Sequence, residues 1–396
     1  MAGLSLCLLV ASGLVAWSLV DDDPYVAPTP PAATATAPSP ALAAEALEDF
    51  EQAVRAGDQD AARALAPSGD TAAADLLASI VANAEAADVR DFTLRLIEPE
   101  GDGGYADATW RFHGFDPGSA YAEVLVQLAD DGDRVAITGF GGGDRVSPLW
   151  LSGPLEVRRT DRTLVLVDGT AAEADRIARR AEAAVPVVQQ VLPQWQPGLV
   201  VEVPGSVDEL DAVLNADEGS YDQIAAVTTS ADGSLAPEAP VHVFVNPGIY
   251  ERLGTTGAQV VMSHEATHVA TDAWASTMPL WLLEGFADYV ALRDVDLPLS
   301  SSAAQIIAGV RRDGPPRALP DDAEFGSRTA DLGTTYESAW LACRLLAQEG
   351  GEAALVGFYR DVESGTPVPA ALRSSFGLTV PAFTALWRDL LSDLAQ

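Results

Sequence analysis

Lysine is absent from the 396-residue sequence, and cysteine and histidine are rare, with two and four residues respectively. The 58 acidic residues greatly outnumber the 23 basic ones, which gives a formal net charge of −35. Such an excess of negative charge argues against binding to nucleic acid phosphates or anionic lipid headgroups. The scarcity of cysteine excludes a fold held together by disulfides. We also predict no disulfide between Cys7 and Cys343, because Cys7 lies in an apolar N-terminal segment.

That N-terminal segment, residues 3–20, has no charged residue and is followed by three aspartates. About eighteen apolar residues just reach the length of a membrane span. No cleavage site of the small-x-small type closely follows, so the sequence favours an uncleaved anchor over the signal peptide of a secreted protein. Residues 24–44 are rich in proline and alanine and predict an extended linker. We therefore expect a membrane anchor at residues 1–23, with the body of the protein at the cell membrane but outside the cytoplasm.

The sequence from 45 to 149 predicts a first α+β domain. Two amphipathic helical segments are followed by four segments of alternating polar and apolar residues, separated by turns rich in glycine and aspartate. This order of elements resembles the cone-shaped domains of the nuclear-transport-factor-2-like group, and the resemblance implies an α+β cone. We expect His113 in this domain to be structural or solvent-facing, because no catalytic set of residues accompanies it in the sequence.

The remaining sequence, residues 150–396, predicts a second α+β domain in which a small sheet is followed by a helical half. Almost everything after Gly254 has helical periodicity. The strand "VHVFVNP" at residues 241–247 is a candidate edge strand that could pair with an extended peptide, and an inner strand is the alternative. We expect His242 on this strand to lie at the surface.

The motif "HEATH" at residues 264–268 contains two of the four histidines. In an α-helix, residues four apart lie on the same face, so His264 and His268 present two imidazoles that can bind one zinc ion. Glu265 points to the flank of that face, where it can act as a general base toward water. The alternative is that both histidines are core residues satisfied by carboxylates. A third ligand favours the metal site, because catalytic zinc usually has three protein ligands.

A third ligand is available in the segment "STMPLWLLEGFADYVAL". Glu284 lies sixteen residues after His268, on a helix that Pro279 is well placed to begin. Asp288 follows Glu284 by four residues and can accept a hydrogen bond from the outer nitrogen of a histidine ligand. Asp272, four residues after His268, could support the same network.

Taken together, "HEATHVATD" and "PLWLLEGFADYV" resemble the motifs of the gluzincin zinc metallopeptidases. This group has a peptidase MA-like domain and includes thermolysin and the aminopeptidase-N-like enzymes. The resemblance implies that His264, His268 and Glu284 bind zinc. It implies in the same way that Glu265 is the catalytic base and that Asp288 is the carboxylate that supports a histidine ligand.

The resemblance covers about residues 240–345 and departs from the two named groups in two ways. The interval between the second histidine and the glutamate is shorter, and Leu283 stands where both groups commonly carry asparagine. Similar proteins also carry a tyrosine near the start of a later helix, a position that Tyr336 in "TTYESAW" matches. A tyrosine hydroxyl there could stabilise an oxyanion, and plain packing is the alternative.

These features predict a membrane-tethered, extracytoplasmic zinc metallopeptidase with one zinc ion per chain and a peptide or protein as substrate. The expected fold is α+β, with a zincin domain of a small sheet and a helical half, preceded by the cone-like domain and the membrane anchor. Two alternatives stay open. One is a zinc aminopeptidase of the same superfamily, and the other is a non-catalytic, zinc-containing binding protein of the cell surface.

Overall fold

A computed structural model of the chain describes residues 39–100, 103–326 and 331–396. The predicted membrane anchor and most of the predicted linker lie outside the described residues. Within them, no helix is both long enough and apolar enough to cross a membrane. The first helix begins at Pro40, so the end of the predicted linker at residues 40–44 is helical instead of extended. Proline fits the first position of a helix, and Ala43, Ala46 and Leu47 bury one face of it, which explains this early start.

The first half of the described chain consists of three helices and an antiparallel sheet. The helices are α1 (Pro40–Ala56), α2 (Gln59–Arg63) and α3 (Thr71–Ala87). The strands pair in the order β1-β2-β3-β4, and they are β1 (Val89–Glu100), β2 (Gly103–Phe112), β3 (Ala120–Asp130) and β4 (Val135–Phe140). Along β3, buried and more exposed residues alternate, as expected for a sheet with one face on the core. His113 lies in the turn after β2 and is exposed, as predicted.

The second half contains a five-stranded mixed sheet in the order β5-β6-β7-β9-β8. Its strands are β5 (Glu156–Arg159), β6 (Thr163–Val167), β7 (Leu199–Val203), β8 (Ala226–Ser230) and β9 (Val241–Val245). Strands β6, β7 and β9 are parallel, whereas β5 and β8 run antiparallel to their neighbours. The segment "VHVFVNP" therefore forms an inner strand and not an edge strand. The edge on that side of the sheet is β8.

Helices cover most of the rest of the chain, so the predicted α+β class is confirmed. They are α4 (Ala171–Val191), α5 (Val207–Val213), α6 (Pro247–Tyr250), α7 (Gly254–Ala270), α8 (Leu280–Leu292), α9 (Leu299–Ser302), α10 (Ala304–Asp313), α11 (Leu332–Gly350), α12 (Glu352–Glu363), α13 (Val368–Phe376) and α14 (Val380–Leu394). Short 3-10 turns lie at Leu149–Leu151, Glu251–Leu253, Ala273–Ala275 and Asp322–Phe325. The cone-like and zincin-like forms of the two halves stay predictions.

The two halves share a hydrophobic core. Pro38–Gln396 forms one compact unit. One core cluster of this unit joins α1, α3 and the first sheet to Leu164, Leu166 and Val200 of the second sheet. The predicted domain boundary at residues 149 and 150 falls between the two sheets and stays a prediction.

His242 joins the two halves through polar contacts and is fully buried, so the prediction that it lies at the surface is wrong. Its Nδ1 lies 2.6 Å from Glu202 on β7, and its Nε2 lies 3.0 Å from Asp116 in the loop after β2. Burial alone would lower the pKa of His242, but the carboxylates of Asp116 and Glu202 outweigh it and raise the pKa to about 10. The ring is therefore a buried cation held between two acids.

Helices α8 and α11 pack unusually closely at Gly285. A Cβ atom at this position would lie 2.4 Å from the carbonyl oxygen of Ala339 and 3.0 Å from the Sγ of Cys343. Because only glycine avoids this clash, Gly285 sets the distance between the helix that carries Glu284 and the helix that carries Tyr336. Cys343 is buried in this contact as a free thiol.

Candidate metal centre

Helix α7 carries the "HEATH" motif and is buried over most of its C-terminal half. Met262, Ala266 and Thr267 are fully buried, and His264 and His268 are nearly so. The helix lies against α4, α8 and strand β8, so apolar side chains surround the motif on several sides. As the spacing predicts, the two imidazoles lie next to each other, with ring centroids 4.6 Å apart.

Helix α8 brings Glu284 to the two histidines. Its residues Trp281, Leu282 and Phe286 are buried in the core, which fixes the rotation of the helix about its axis. The Nε2 atoms of His264 and His268 lie 2.9 Å apart, and Oε2 of Glu284 lies 3.1 Å from the first and 3.3 Å from the second. Three possible ligand atoms from three side chains therefore converge on one point.

This arrangement fits a zinc ion in the chemistry and in the spacing of its donors. Two imidazole nitrogens and one carboxylate oxygen form a common ligand set of catalytic zinc. For bonds of about 2.0–2.1 Å in a tetrahedral site, ligand atoms lie about 3.3 Å from one another. The three measured separations of 2.9–3.3 Å are close to this value. The three atoms can thus occupy one face of a tetrahedron around an ion.

Asp288 orients His264, as the sequence predicts. The Nδ1–H of His264 donates a hydrogen bond of 2.8 Å to Oδ1 of Asp288. A neutral ring that carries its hydrogen on Nδ1 has its lone pair on Nε2, the atom that points at His268 and Glu284. Burial would lower the pKa of His264, but the carboxylates of Asp288 and Glu284 outweigh it and raise this pKa well above its usual value. A bound metal ion would compete with the second proton of the ring for the lone pair on Nε2.

Glu284 is held in its charged form. Burial raises the pKa of its carboxyl group, but the neighbouring His268 and His264 outweigh this effect and lower the pKa well below its usual range. His268 differs from His264 in its second nitrogen. Across the described ranges, no group forms a hydrogen bond with the buried Nδ1 of His268.

The prediction that Asp272 supports this network is wrong. Helix α7 ends at Ala270, and Asp272 has left-handed backbone angles, with φ of 50° and ψ of 33°. The rule that residues four apart share a face applies only inside a helix, so it fails across this end. Asp272 is exposed, and no hydrogen bond joins it to His268.

Glu265 lies beside the ligand atoms and borders a cavity of about 250 Å³. His264, Asp288 and Tyr336 also line this cavity, and the rest of its wall is mostly apolar: Ile224, Ala225, Ala226, Val260, Val261 and Leu332. Two larger cavities, of about 490 Å³ and 590 Å³, contain no histidine, so volume alone does not identify the site. The position of Glu265 beside both the ligands and the cavity suits a group that acts on a bound molecule.

Tyr336 lies on the second turn of α11 and faces the same cavity. Its ring centroid is 6.2 Å from that of His264. Burial first, and then the charges of Glu284, Asp288 and Glu265, raise the pKa of Tyr336 well above its usual value. Its hydroxyl therefore stays protonated, and in this structure it donates a hydrogen bond to the carboxylate of Glu284. Phe325 packs edge-on against the ring at 5.4 Å and helps to hold it there.

Sequence reasoning missed one residue of this site. Oγ1 of Thr228, on the edge strand β8, donates a hydrogen bond of 2.7 Å to Oε2 of Glu265. The two residues are 37 positions apart. No local spacing rule connects them, and only the antiparallel register of β8 with β9 places Thr228 there.

No protein-family model matches the chain, and no curated protein matches it. A mutant of an M1 zinc metallopeptidase from Deinococcus radiodurans, solved with a Tyr-Ser-Ala substrate, aligns with 67% of this chain at 14% identity and a TM-score of 0.35. A mutant of a two-domain M1 zinc metallopeptidase, solved with L-arginine, aligns with 69% at 14% identity and a TM-score of 0.31.

The alignments cover 60% and 61% of those two metallopeptidases. Similarity at these TM-scores does not establish a common fold or activity. The side chains around His264 are therefore the basis of the function proposed for this chain.

Proposed function

We propose that the protein is a zinc metallopeptidase that hydrolyses peptide bonds with one zinc ion per chain. One observation carries the proposal. The three ligand atoms of His264, His268 and Glu284 converge within 2.9–3.3 Å of one another. Glu265 stands beside them at the wall of an open cavity. Buried histidines that served only the core would not need a second carboxylate, that of Glu265, and a cavity at the same place.

Each residue of the site has a distinct task in this proposal. His264, His268 and Glu284 would hold the ion, and Asp288 keeps the lone pair of His264 directed at it. A bound zinc ion supplies Lewis acidity that activates water and polarises a carbonyl group. Glu265 accepts the proton of the attacking water as general base and can pass it to the leaving amine.

Tyr336 is the candidate for stabilising the oxyanion. Its hydroxyl is protonated, its ring faces the cavity, and its helix is held at a fixed distance from Glu284 by the close packing at Gly285. A preorganised donor that faces developing negative charge lowers the barrier of acyl transfer. This role fits the position of Tyr336 better than packing alone, because the ring borders open space beside His264.

The substrate would bind in extended form along β8. This strand is at the edge of the sheet and pairs only with β9 among the described strands, so its other edge can accept main-chain hydrogen bonds from a peptide. Residues 223–226, at and just before the start of β8, also line the cavity next to Glu265. A peptide on β8 would therefore pass close to the general base.

Replacement of the general base tests the proposal. Glu265→Gln keeps the size of the side chain but cannot accept a proton. Peptide turnover should fall by about 10²–10⁴-fold, while zinc content stays near one ion per chain. Pairs of substrates with free and blocked N-termini would separate an endopeptidase from an aminopeptidase in the same assay. Cleavage by Glu265→Gln at the wild-type rate would contradict the proposed function.

The proposal includes attachment to a membrane through residues 3–20, with the body outside the cytoplasm. It rests on the uncharged, apolar composition of that segment and on the linker that follows it. The full chain should fractionate with membranes and be released by detergent, whereas a chain that begins at residue 39 should be soluble and equally active. Release of the full chain by salt alone would argue against this attachment.

A further inference from the structure

The side chain of Thr228 on strand β8 forms a hydrogen bond with the "HEATH" helix. Oγ1 of Thr228 lies 2.7 Å from Oε2 of Glu265 and 3.3 Å from the main-chain oxygen of the same residue. Throughout the part of the chain that the structure describes, no other group donates a hydrogen bond to the Glu265 carboxylate. The orientation of this carboxylate therefore depends on one hydroxyl group.

We propose that Thr228 is a positioning residue that orients Glu265 for its action as general base. This inference rests on the proposed peptidase function. A glutamate side chain has several rotatable bonds, and a misplacement of about 1 Å in a catalytic group can reduce the rate about 10²-fold. The hydroxyl of Thr228 holds Oε2, so Oε1 is left to face the reacting molecule.

The position of Thr228 in the sheet explains how it reaches Glu265. Thr228 pairs with Val243 on β9, and alternation along the strand places Ala226 and Ser230 on the same face. Ala226 lines the cavity and belongs to the core cluster that includes helix α7. This face of β8 is therefore turned toward the helix, and Thr228 is its residue nearest to the general base.

The neighbouring Thr229 provides a matched control. It is also a half-buried threonine of β8, and its side chain forms no hydrogen bond with any residue that the structure describes. It lies on the opposite face of the strand and pairs with His242. Replacement of either threonine by valine keeps the shape and the β-branched character of the side chain. Only the replacement of Thr228 removes a hydroxyl group that donates a hydrogen bond to Glu265.

The kinetic test compares Thr228→Val, Thr228→Ser and Thr229→Val, each loaded with zinc. Thr228→Val should keep one zinc per chain and lose about 10–100-fold in kcat with little change in KM. Thr228→Ser should recover most of this loss because serine restores the hydroxyl, and Thr229→Val should keep the wild-type zinc content and cobalt(II) spectrum. An unchanged kcat in Thr228→Val, or equal loss in the valine and serine variants, would overturn the proposal.

A spectroscopic test does not depend on peptide cleavage. Cobalt(II) can replace zinc in sites of this ligand type, and its visible spectrum reports on the groups around the ion. Thr228→Val should shift the cobalt spectrum in the same direction as Glu265→Gln, whereas Thr228→Ser should not. A wild-type chain that cleaves no peptide would reject the proposed function. A Thr228→Val spectrum identical to that of the wild type would reject the role of Thr228.

Discussion

Two groups of histidines and carboxylates in this molecule contain the same residue types but differ in the partners of their ring nitrogens. At His242, both ring nitrogens have a carboxylate partner, at 2.6 Å and 3.0 Å, and the residue is fully buried. At the candidate metal centre, Nδ1 of His264 is hydrogen-bonded to Asp288, and its Nε2 lies 2.9 Å from Nε2 of His268 and 3.1 Å from Oε2 of Glu284. A cavity borders this second group.

The difference shows what separates a structural histidine from a possible metal ligand. The nitrogens of His242 are saturated by fixed partners, so the charge of the ring balances Asp116 and Glu202 and no lone pair is available. At the candidate metal centre, the three inward atoms lie within 2.9–3.3 Å of one another, the spacing that a small cation requires. The convergence of three donor atoms beside a cavity, and not the amount of buried charge, distinguishes the two sites.

Removal of His242 should have the largest effect on stability. His242→Ala leaves the buried carboxylates of Asp116 and Glu202 without a cation, and breaking a buried ion pair in this way costs about 3–5 kcal/mol. The exposed His113, which pairs with Asp88, is the matched control. His113→Ala should cost less than about 1 kcal/mol in the same denaturant unfolding experiment. Equal losses for the two variants would show that His242 does not act as a buried cation.

The stabilisation by His242 should disappear in alkaline solution. Its pKa is raised from 6.5 to about 10 on folding, so the contribution is complete below pH 6.5 and is lost as the pH rises through about 10. The difference in unfolding free energy between the wild type and His242→Gln should therefore shrink between pH 6.5 and pH 10. Measurement of both proteins across this range removes the contributions of all other groups. A constant difference would mean that the ring is neutral in the folded protein.

Gly285→Ala should destabilise the protein and weaken zinc binding, because it disturbs the close packing of α8 against α11. The new methyl group would meet the Ala339 carbonyl at 2.4 Å, and overpacking of this kind costs about 1–3 kcal/mol. As α8 moves away from α11, Glu284 should shift and zinc should bind more weakly. Gly309→Ala is the control, because a Cβ atom there has nothing within 4 Å, so this helical substitution should be neutral or slightly stabilising. Identical thermal unfolding of Gly285→Ala and the wild type would contradict the close contact.

Asp288 and Asp272 should differ in their effect on zinc. Asp288→Asn weakens the support of His264, and zinc affinity should fall by about 10–100-fold in a chelator competition experiment. Asp272→Asn should leave zinc affinity unchanged and alter stability by no more than about 0.5 kcal/mol. Asparagine also accepts the left-handed backbone at this position. The reverse order of effects would restore the role of Asp272 that the sequence suggested.

The sequence was most informative where the geometry of a single helix decides which side chains lie together. His264 and His268 lie within one helix, and so do Glu284 and Asp288, so the spacing of four residues holds in both pairs. The same rule fails for Asp272, because the helix ends before it. Local spacing therefore predicted which of these side chains lie together, but not where the helix stops; that they bind zinc stays a prediction.

Long-range contacts were beyond sequence reasoning. His242 meets Asp116 across 126 residues, and Thr228 meets Glu265 across 37. The first contact depends on the packing of two sheets, and the second depends on which strand lies at the sheet edge. An alternating strand pattern cannot tell an inner strand from an edge strand, because both carry apolar residues at period two. The face of β9 that carries His242 is covered by the first half of the chain, where Phe112 stacks on its ring, and no pattern within the strand reveals this cover. The surface position predicted for His242 was therefore wrong.

The most direct test of the account measures zinc content in three proteins: the wild type, Glu284→Gln and His242→Gln. The account predicts one zinc ion per chain in the wild type and in folded His242→Gln, and almost none in Glu284→Gln at the same zinc concentration. The glutamine keeps the shape of Glu284 but removes the anionic ligand. Full zinc occupancy in Glu284→Gln, or its loss in folded His242→Gln, would contradict the assignment of the metal to His264, His268 and Glu284.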